Sequence, residues 1–144
     1  MSKIFKNTTS FNQDIGNWDV SNVINMNGMF EDALAFNQDI GNWNVSNVSI
    51  MQGMFNNASS IWQDIKNWNV SNVIDMNSML NSCGMSQANY ESLLSGWNSL
   101  PTLQNGVFFG VFGRQYQIGS SADTSRSNII ASYSWIISGD IAVP

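Results

Sequence analysis

Histidine is absent from this chain, cysteine occurs once, proline twice, and only 10% of the 144 residues are charged. Each shortage excludes something. Without His, and with Cys83 alone, there is no imidazole base, no tetrahedral zinc set and no intrachain disulfide, so an enzyme would have to run on carboxylates. Five Lys+Arg against ten Asp+Glu give a net charge of −5. That balance lacks the positive field which phosphate neutralisation demands, so no nucleic-acid partner is expected. No apolar run approaches the roughly 18 residues of a membrane span, and the opening MSKIFKNTTS has no signal-peptide core, so neither membrane insertion nor a conventional export signal is expected.

What replaces charge is amide and hydroxyl: Asn and Ser each occur 21 times. They fall in a repeat. Residues 11–35 read FNQDIGNWDVSNVINMNGMFEDALA, residues 36–60 FNQDIGNWNVSNVSIMQGMFNNASS, and residues 61–85 IWQDIKNWNVSNVIDMNSMLNSCGM, a period of 25 without insertion. Residues 1–10 fit the same frame as a partial coil, Met1, Ile4 and Phe5 falling on Met26, Met29 and Phe30. A unit of roughly 20 to 29 residues is the size of a leucine-rich-repeat coil. The expected fold is therefore an α/β solenoid of leucine-rich-repeat type, one short strand and one short helix per 25-residue coil. It occupies residues 1–85, with a C-terminal α+β capping module at 86–144.

Local spacing points the same way. Trp18-x-Val20 alternates with period two, as a short strand does, turning Asn17, Asp19 and Ser21 outward. Met26, Met29, Phe30 and Ala33 fall at i, i+3, i+4 and i+7, the stripe of a short helix that Asn22 or Asn25 could cap. Gly16 and Gly41 suit a left-handed turn; Lys66 in the third coil either strains that turn or argues against it. Stacked amides donate to and accept from their copies, and the ladders Asn17/Asn42/Asn67 and Asn22/Asn47/Asn72 are expected to be the most buried. Trp18, Trp43, Trp68 and the Met pairs read as core, and Cys83 as a small buried thiol in the place of Ala33 and Ala58. Beyond Met85, a helix is expected over 86–100 with Ser86 as its cap, strands at 106–111 and 115–118, a second helix over 122–133 and a last strand at 134–137.

The motif FNQDIGNWDVSNV followed by N-M-x-x-M-F-x-x-A resembles the BspA-like bacterial surface-protein repeat, also found in Mycoplasma-type lipoproteins and distantly related to leucine-rich repeats. The tail is similar to the end module that follows such repeats, through Leu94-Ser-Gly-Trp97, Leu103-Gln-Asn-Gly-Val107, Tyr116, Ala122, Arg126 and Trp135-Ile-Ile137. The resemblance implies a cell-surface adhesion or display role, binding to host or environmental proteins in some members, and no enzymatic activity. It carries no fixed site residues.

Candidate sites follow from the outward positions. The expected concave face is Asn17, Asp19 and Ser21 with Asn42, Asn44, Ser46, Asn67, Asn69 and Ser71, to which Trp62 adds an anchor if it is not packed on the cap. Three coils about 4.8 Å apart and a three-residue strand give a patch on the order of 150 Å², against about 800 Å² per partner in a standard interface, so useful affinity would need multivalency. Asp14, Asp39 and Asp64 are either a weak calcium candidate or acceptors for backbone N–H groups in their own turns. Neither Asp14 with Asp19 nor Glu31 with Asp32 is arranged with a nucleophile or an oxyanion hole, and no cofactor is expected. The expectation is a non-enzymatic binding, adhesion or display module at the cell surface or outside the cell, with a protein or cell-surface ligand. The alternative is a virion or appendage decoration protein assembling with itself or a scaffold through Met1, Ile4 and Phe5. Calcium-dependent sugar binding is a third reading.

Overall fold

The computed structural model describes all 144 residues. Helix and strand are confined to residues 87–143: α1 (Gln87–Asn98), β1 (Phe108–Gly110), β2 (Gln115–Gln117), α2 (Ser121–Tyr133), β3 (Ile136–Ser138) and β4 (Ile141–Val143). β1 pairs in parallel with β3, and β2 in parallel with β4, making two separate two-stranded sheets. Ser86 caps α1 by accepting the Asn89 N–H, and Ser120 caps α2 by accepting that of Asp123. β4 was not anticipated in Ile141-Ala-Val143, an apolar triplet too short for periodicity to register.

Residues 1–86 correct the expected fold class. There is no strand–helix unit in any repeat, and hence no α/β solenoid of leucine-rich-repeat type; the repeats consist of turns joined by the isolated parallel bridges Asn25↔Ile50 and Ile50↔Asp75. The helix fails for a backbone reason. Gly28 and Asp32 lie at φ 55° and 58°, Gly53 and Asn57 at 60° and 58°, Ser78 and Ser82 at 55° and 53°. A left-handed residue at every fourth position cannot belong to a right-handed helix. Met29, Glu31 and Ala33 instead donate three residues back, to Met26, Gly28 and Phe30, while the intervening Met26, Gly28, Phe30 and Asp32 donate to Ile50, Gln52, Met54 and Asn56 of the next repeat. Half of the N–H groups that a helix would use internally thus tie one repeat to the next. The strand at 17–21 fails because its ends curl: Trp18 donates to Ile15, Val23 to Val20, and the Ser21 N–H turns back to Asp19 Oδ1.

Most of the apolar assignments survive the loss of the helix, because the turns direct the same side chains inward; Trp18, expected in the core with Trp43 and Trp68, is instead 43% exposed, since no neighbouring repeat covers its outer face in this structure. Met26, Met29, Met51, Met54, Met76 and Met79 are fully buried, Cys83 is buried, and 38 residues form one continuous core. Phe5, Phe30 and Phe55 stack across successive repeats with ring centroids 5.5 and 5.6 Å apart. The last repeat passes its N–H row to the C-terminal part: Met76, Leu80 and Ser82 donate to Phe108, Gly110 and Phe112.

Gly16 and Gly41 are not left-handed. A Cβ at Gly16 would lie 2.6 Å from the Asp39 carbonyl oxygen, and one at Gly41 2.9 Å from that of Asp64, so glycine is required by close approach between repeats. Lys66 is tolerated because its neighbour is α1, where Gly96 supplies the missing side chain; a Cβ there would lie 2.4 Å from the Lys66 carbonyl oxygen.

Candidate functional site

The outward residues of the repeats form rows on one surface. Asn17, Asn42 and Asn67 are exposed, and their amides have no partner within the chain. Next to them, Asp19, Asn44 and Asn69 each accept the N–H of the serine two residues on, at 3.0, 3.2 and 3.1 Å. The Ser21 and Ser46 hydroxyls donate to the same Oδ1 atoms, whereas Ser71 donates to the Thr102 carbonyl. These hydrogen bonds from Ser21 hold the Asp19 carboxyl below its usual range. The turns leave the Nδ2 groups of Asn44 and Asn69 facing water. The structure therefore brings nine of the anticipated residues into register, on turns instead of a strand.

The expected burial of two amide ladders is wrong. Asn17, Asn42 and Asn67 and also Asn22, Asn47 and Asn72 are exposed. In the second set the amide bonds to backbone, not to its copy: Asn47 Nδ2 donates to the Ser21 carbonyl and Asn72 Nδ2 to that of Ser46, both at 2.7 Å. Amide-to-amide pairing occurs elsewhere, where Gln38 Nε2 donates to Asn12 Oδ1 and Gln63 Nε2 to Asn37 Oδ1. Trp62 continues the row of Asn12 and Asn37, with its N–H on Asn37 Oδ1, and is 64% exposed at the start of α1. It belongs to a different row from the other nine residues.

Asp14, Asp39 and Asp64 take the turn role. Each Oδ1 accepts the N–H two residues on, from Gly16, Gly41 and Lys66, at 2.9 to 3.0 Å. Asp64 Oδ2 also lies 3.4 Å from Lys66 Nζ. Asp14 and Asp39 border a polar hollow of about 230 Å³, and nowhere do three acidic, His or Cys side chains gather in a ligating arrangement.

Two features escaped the sequence. A polar cavity of about 310 Å³ lies over the left-handed turns, bordered by Lys3, Lys6, Asn27, Glu31, Gln52 and Asn56 and by no apolar residue, with Lys6 Nζ 2.7 Å from Glu31. The clustering of two of the five basic residues near the N-terminus was the available signal. The second is a clasp in the C-terminal part. Arg126 grips Asp140 with two nitrogens at 2.6 and 2.9 Å, the Tyr90 hydroxyl donates to Asp140 Oδ2 at 2.8 Å, and the guanidinium lies 5.1 Å from the Tyr116 ring centroid. Burial first, and the Asp140 charge second, push the Tyr90 hydroxyl well above its ordinary range, while the hydrogen bond to Asp140 raises Arg126. Every group in the clasp is partnered, so its role is to hold α1, α2 and the β3–β4 turn together.

Burial also pushes the Cys83 thiol up, away from the thiolate that a nucleophile needs. No helix is long and apolar enough to cross a membrane. Residues 1–97 match the model of a family described as Mycoplasma protein of unknown function, DUF285. No curated protein and no solved structure matches the chain.

Proposed function

Because the chain belongs to this Mycoplasma-associated family of unknown function, which takes in residues 1–97, we propose that it is a non-enzymatic binding module displayed at a cell surface. It is of the BspA-like adhesive kind and engages a protein or cell-surface ligand through its outward amide rows. The observation that carries this reading is the register of those rows: Asn17, Asn42 and Asn67 stand unpartnered and exposed beside Asp19, Asn44 and Asn69, whose acceptor atoms are committed to turns. A surface of fixed donors and few charges recognises polar partners without long-range steering. Both hollows lack apolar lining, which a small-molecule pocket would need.

Such a surface is small and polar, so it works by repetition. Beads densely coated with the full chain are expected to adhere to fixed epithelial cell monolayers, while the free chain at equal total concentration binds weakly. The variant Asn17→Ala, Asn42→Ala, Asn67→Ala is expected to keep its fold, since all three side chains are exposed and none serves a turn, and to lose most of the adhesion. Coated beads that adhere no better than albumin-coated ones, or a triple variant that adheres as well as the parent, would refute the proposal.

A further inference from the structure

Asn12, Asn37 and Trp62 hold one position in three successive repeats, and the amides around them are locked in a way that leaves matched groups idle. Asn12 Oδ1 accepts the Asn37 N–H at 2.9 Å and Gln38 Nε2 at 3.0 Å; Asn37 Oδ1 accepts the Trp62 N–H at 3.0 Å and Gln63 Nε2 at 2.9 Å. A carboxamide whose oxygen is held by a backbone N–H cannot turn over without losing that bond, so each Asn presents its Nδ2 group in a fixed direction. Gln38 and Gln63 Nε2 also donate to the Asn12 and Asn37 carbonyls, at 3.0 and 3.1 Å, which leaves Oε1 of each glutamine free. Each level of the row thus offers one idle donor and one idle acceptor.

Trp62 changes the chemistry of the row without serving its structure. The bond that ties the third repeat to the second at this position comes from the Trp62 backbone N–H, which any residue but proline supplies. The indole itself is 64% exposed. One edge of it is nevertheless seated, because Nε1 would lie 3.1 Å from a Cβ at Gly84, where glycine leaves the room. A flat apolar ring held at one edge and open to water, beside ordered amides, stacks a sugar ring and reads its polar groups at little cost in ordering.

Spacing and charge narrow the ligand. Repeats joined by parallel bridges lie about 4.8 Å apart, close to the advance per sugar of an extended β-linked pyranose chain. Asp14, Asp39 and Asp64, two residues on from the row, are exposed on a chain of net charge −5, which disfavours sulfated and uronic glycans. An acetamido group carries one carbonyl and one N–H, the complement of an idle Nδ2 with an idle Oε1. We propose that Asn12, Asn37, Gln38, Gln63 and Trp62 bind a neutral, extended, β-linked chain of N-acetylhexosamines, with one ring stacked on Trp62 and acetamido groups meeting the Asn–Gln pairs.

The test is calorimetric titration of the full chain with chitopentaose, an oligomer of N-acetylglucosamine, beside cellopentaose and heparin. Saturable binding of chitopentaose is expected, with the Trp62 indole N–H signal moving in NMR spectra, weaker binding of cellopentaose and none of heparin. Trp62→Asn restores the residue of the other two repeats and keeps the backbone bond, so its circular dichroism is expected to match the parent's while its affinity for chitopentaose falls more than about tenfold. Trp62→Phe retains a stacking face and is expected to keep most of the affinity. The proposal is overturned by chitopentaose that gives no saturable heat or binds no better than cellopentaose, by heparin that binds as tightly, or by a folded Trp62→Asn chain that binds as well as the parent. The variant Asn17→Ala, Asn42→Ala, Asn67→Ala is expected to bind chitopentaose unchanged, and a loss there would also overturn the placement on this row. The inference and the adhesive reading therefore fail separately.

Discussion

Trp18, Trp43 and Trp68 occupy one repeat position at three depths, which turns a core truncation into a controlled series. Trp43 is 4% and Trp68 0% exposed, and each indole donates to a carbonyl of the preceding repeat, whereas Trp18 is 43% exposed and donates to none. Truncating a buried Trp to Ala costs about 3 to 5 kcal/mol in lost transfer and cavity terms, and the stranded Ile15 or Ile40 carbonyl adds roughly 1 kcal/mol. Trp18→Ala leaves no closed cavity and orphans no acceptor, so only its partial burial is lost, about 1 to 2 kcal/mol. With a urea m-value of about 2 kcal/mol/M, Trp43→Ala and Trp68→Ala are expected to lower the unfolding midpoint by roughly 2 to 3 M and Trp18→Ala by less than about 1 M. The assay is urea unfolding followed by far-ultraviolet circular dichroism, which does not depend on the deleted fluorophore. A Trp18→Ala midpoint as low as that of Trp43→Ala, or an unchanged midpoint for Trp43→Ala, would refute the assignment of these indoles to the interface between repeats.

Tyr90 makes stability fall in alkali: it stays neutral in the fold, while the unfolded chain gives up that proton near pH 10, so stability is retained below about pH 10 and declines as pH rises beyond it. Urea midpoints measured upward from about pH 8 should show this decline, and Tyr90→Phe should flatten the part above about pH 10; a Tyr90→Phe profile parallel to the parent's would count against it. Gly96→Ala, inside α1, would ordinarily stabilise a helix by about 1 kcal/mol, but the new Cβ would lie 2.4 Å from the Lys66 carbonyl oxygen. A net loss of roughly 1 to 3 kcal/mol is expected, and a gain in melting temperature would show that α1 does not press on the third repeat.

The inside of the molecule was legible in the sequence, and its backbone was not. Met26, Met29, Phe30 and Ala33 are buried as their spacing implies, α1 lies within the segment expected for it, and α2 begins one residue before its own. Periodicity reports which side chains face inward, and both a helix and a run of alternating-handed turns send positions 26, 29, 30 and 33 inward. It could not distinguish them. The residues that could are those at positions 28 and 32 of each repeat, Gly28, Gly53 and Ser78 with Asp32, Asn57 and Ser82. All are small or capable of local hydrogen bonding, the chemistry that tolerates positive φ, and a helix of four good formers would not carry them at that spacing.

The candidate surface was legible for a related reason, and misjudged where the geometry of bonding mattered. Asp19, Asn44 and Asn69 were recognised as outward from simple alternation, and a turn that binds their Oδ1 atoms keeps them outward just as a strand would. The burial of Asn17 and Asn22 with their copies was inferred from amides stacking on amides, but the backbone competes for the same donors and wins: a carbonyl at Ser21 or Ser46 is fixed in place, whereas a neighbouring side chain must first be ordered. The consequence reaches beyond those six residues. The Asn47 and Asn72 amides bond to the backbone of the preceding repeat, while the N–H groups of Met26, Gly28, Phe30 and Asp32 bond to that of the next and those of Ser49 and Ile74 to that of the one before, so each interface between repeats is laced by backbone bonds in both senses and its amides only supplement them.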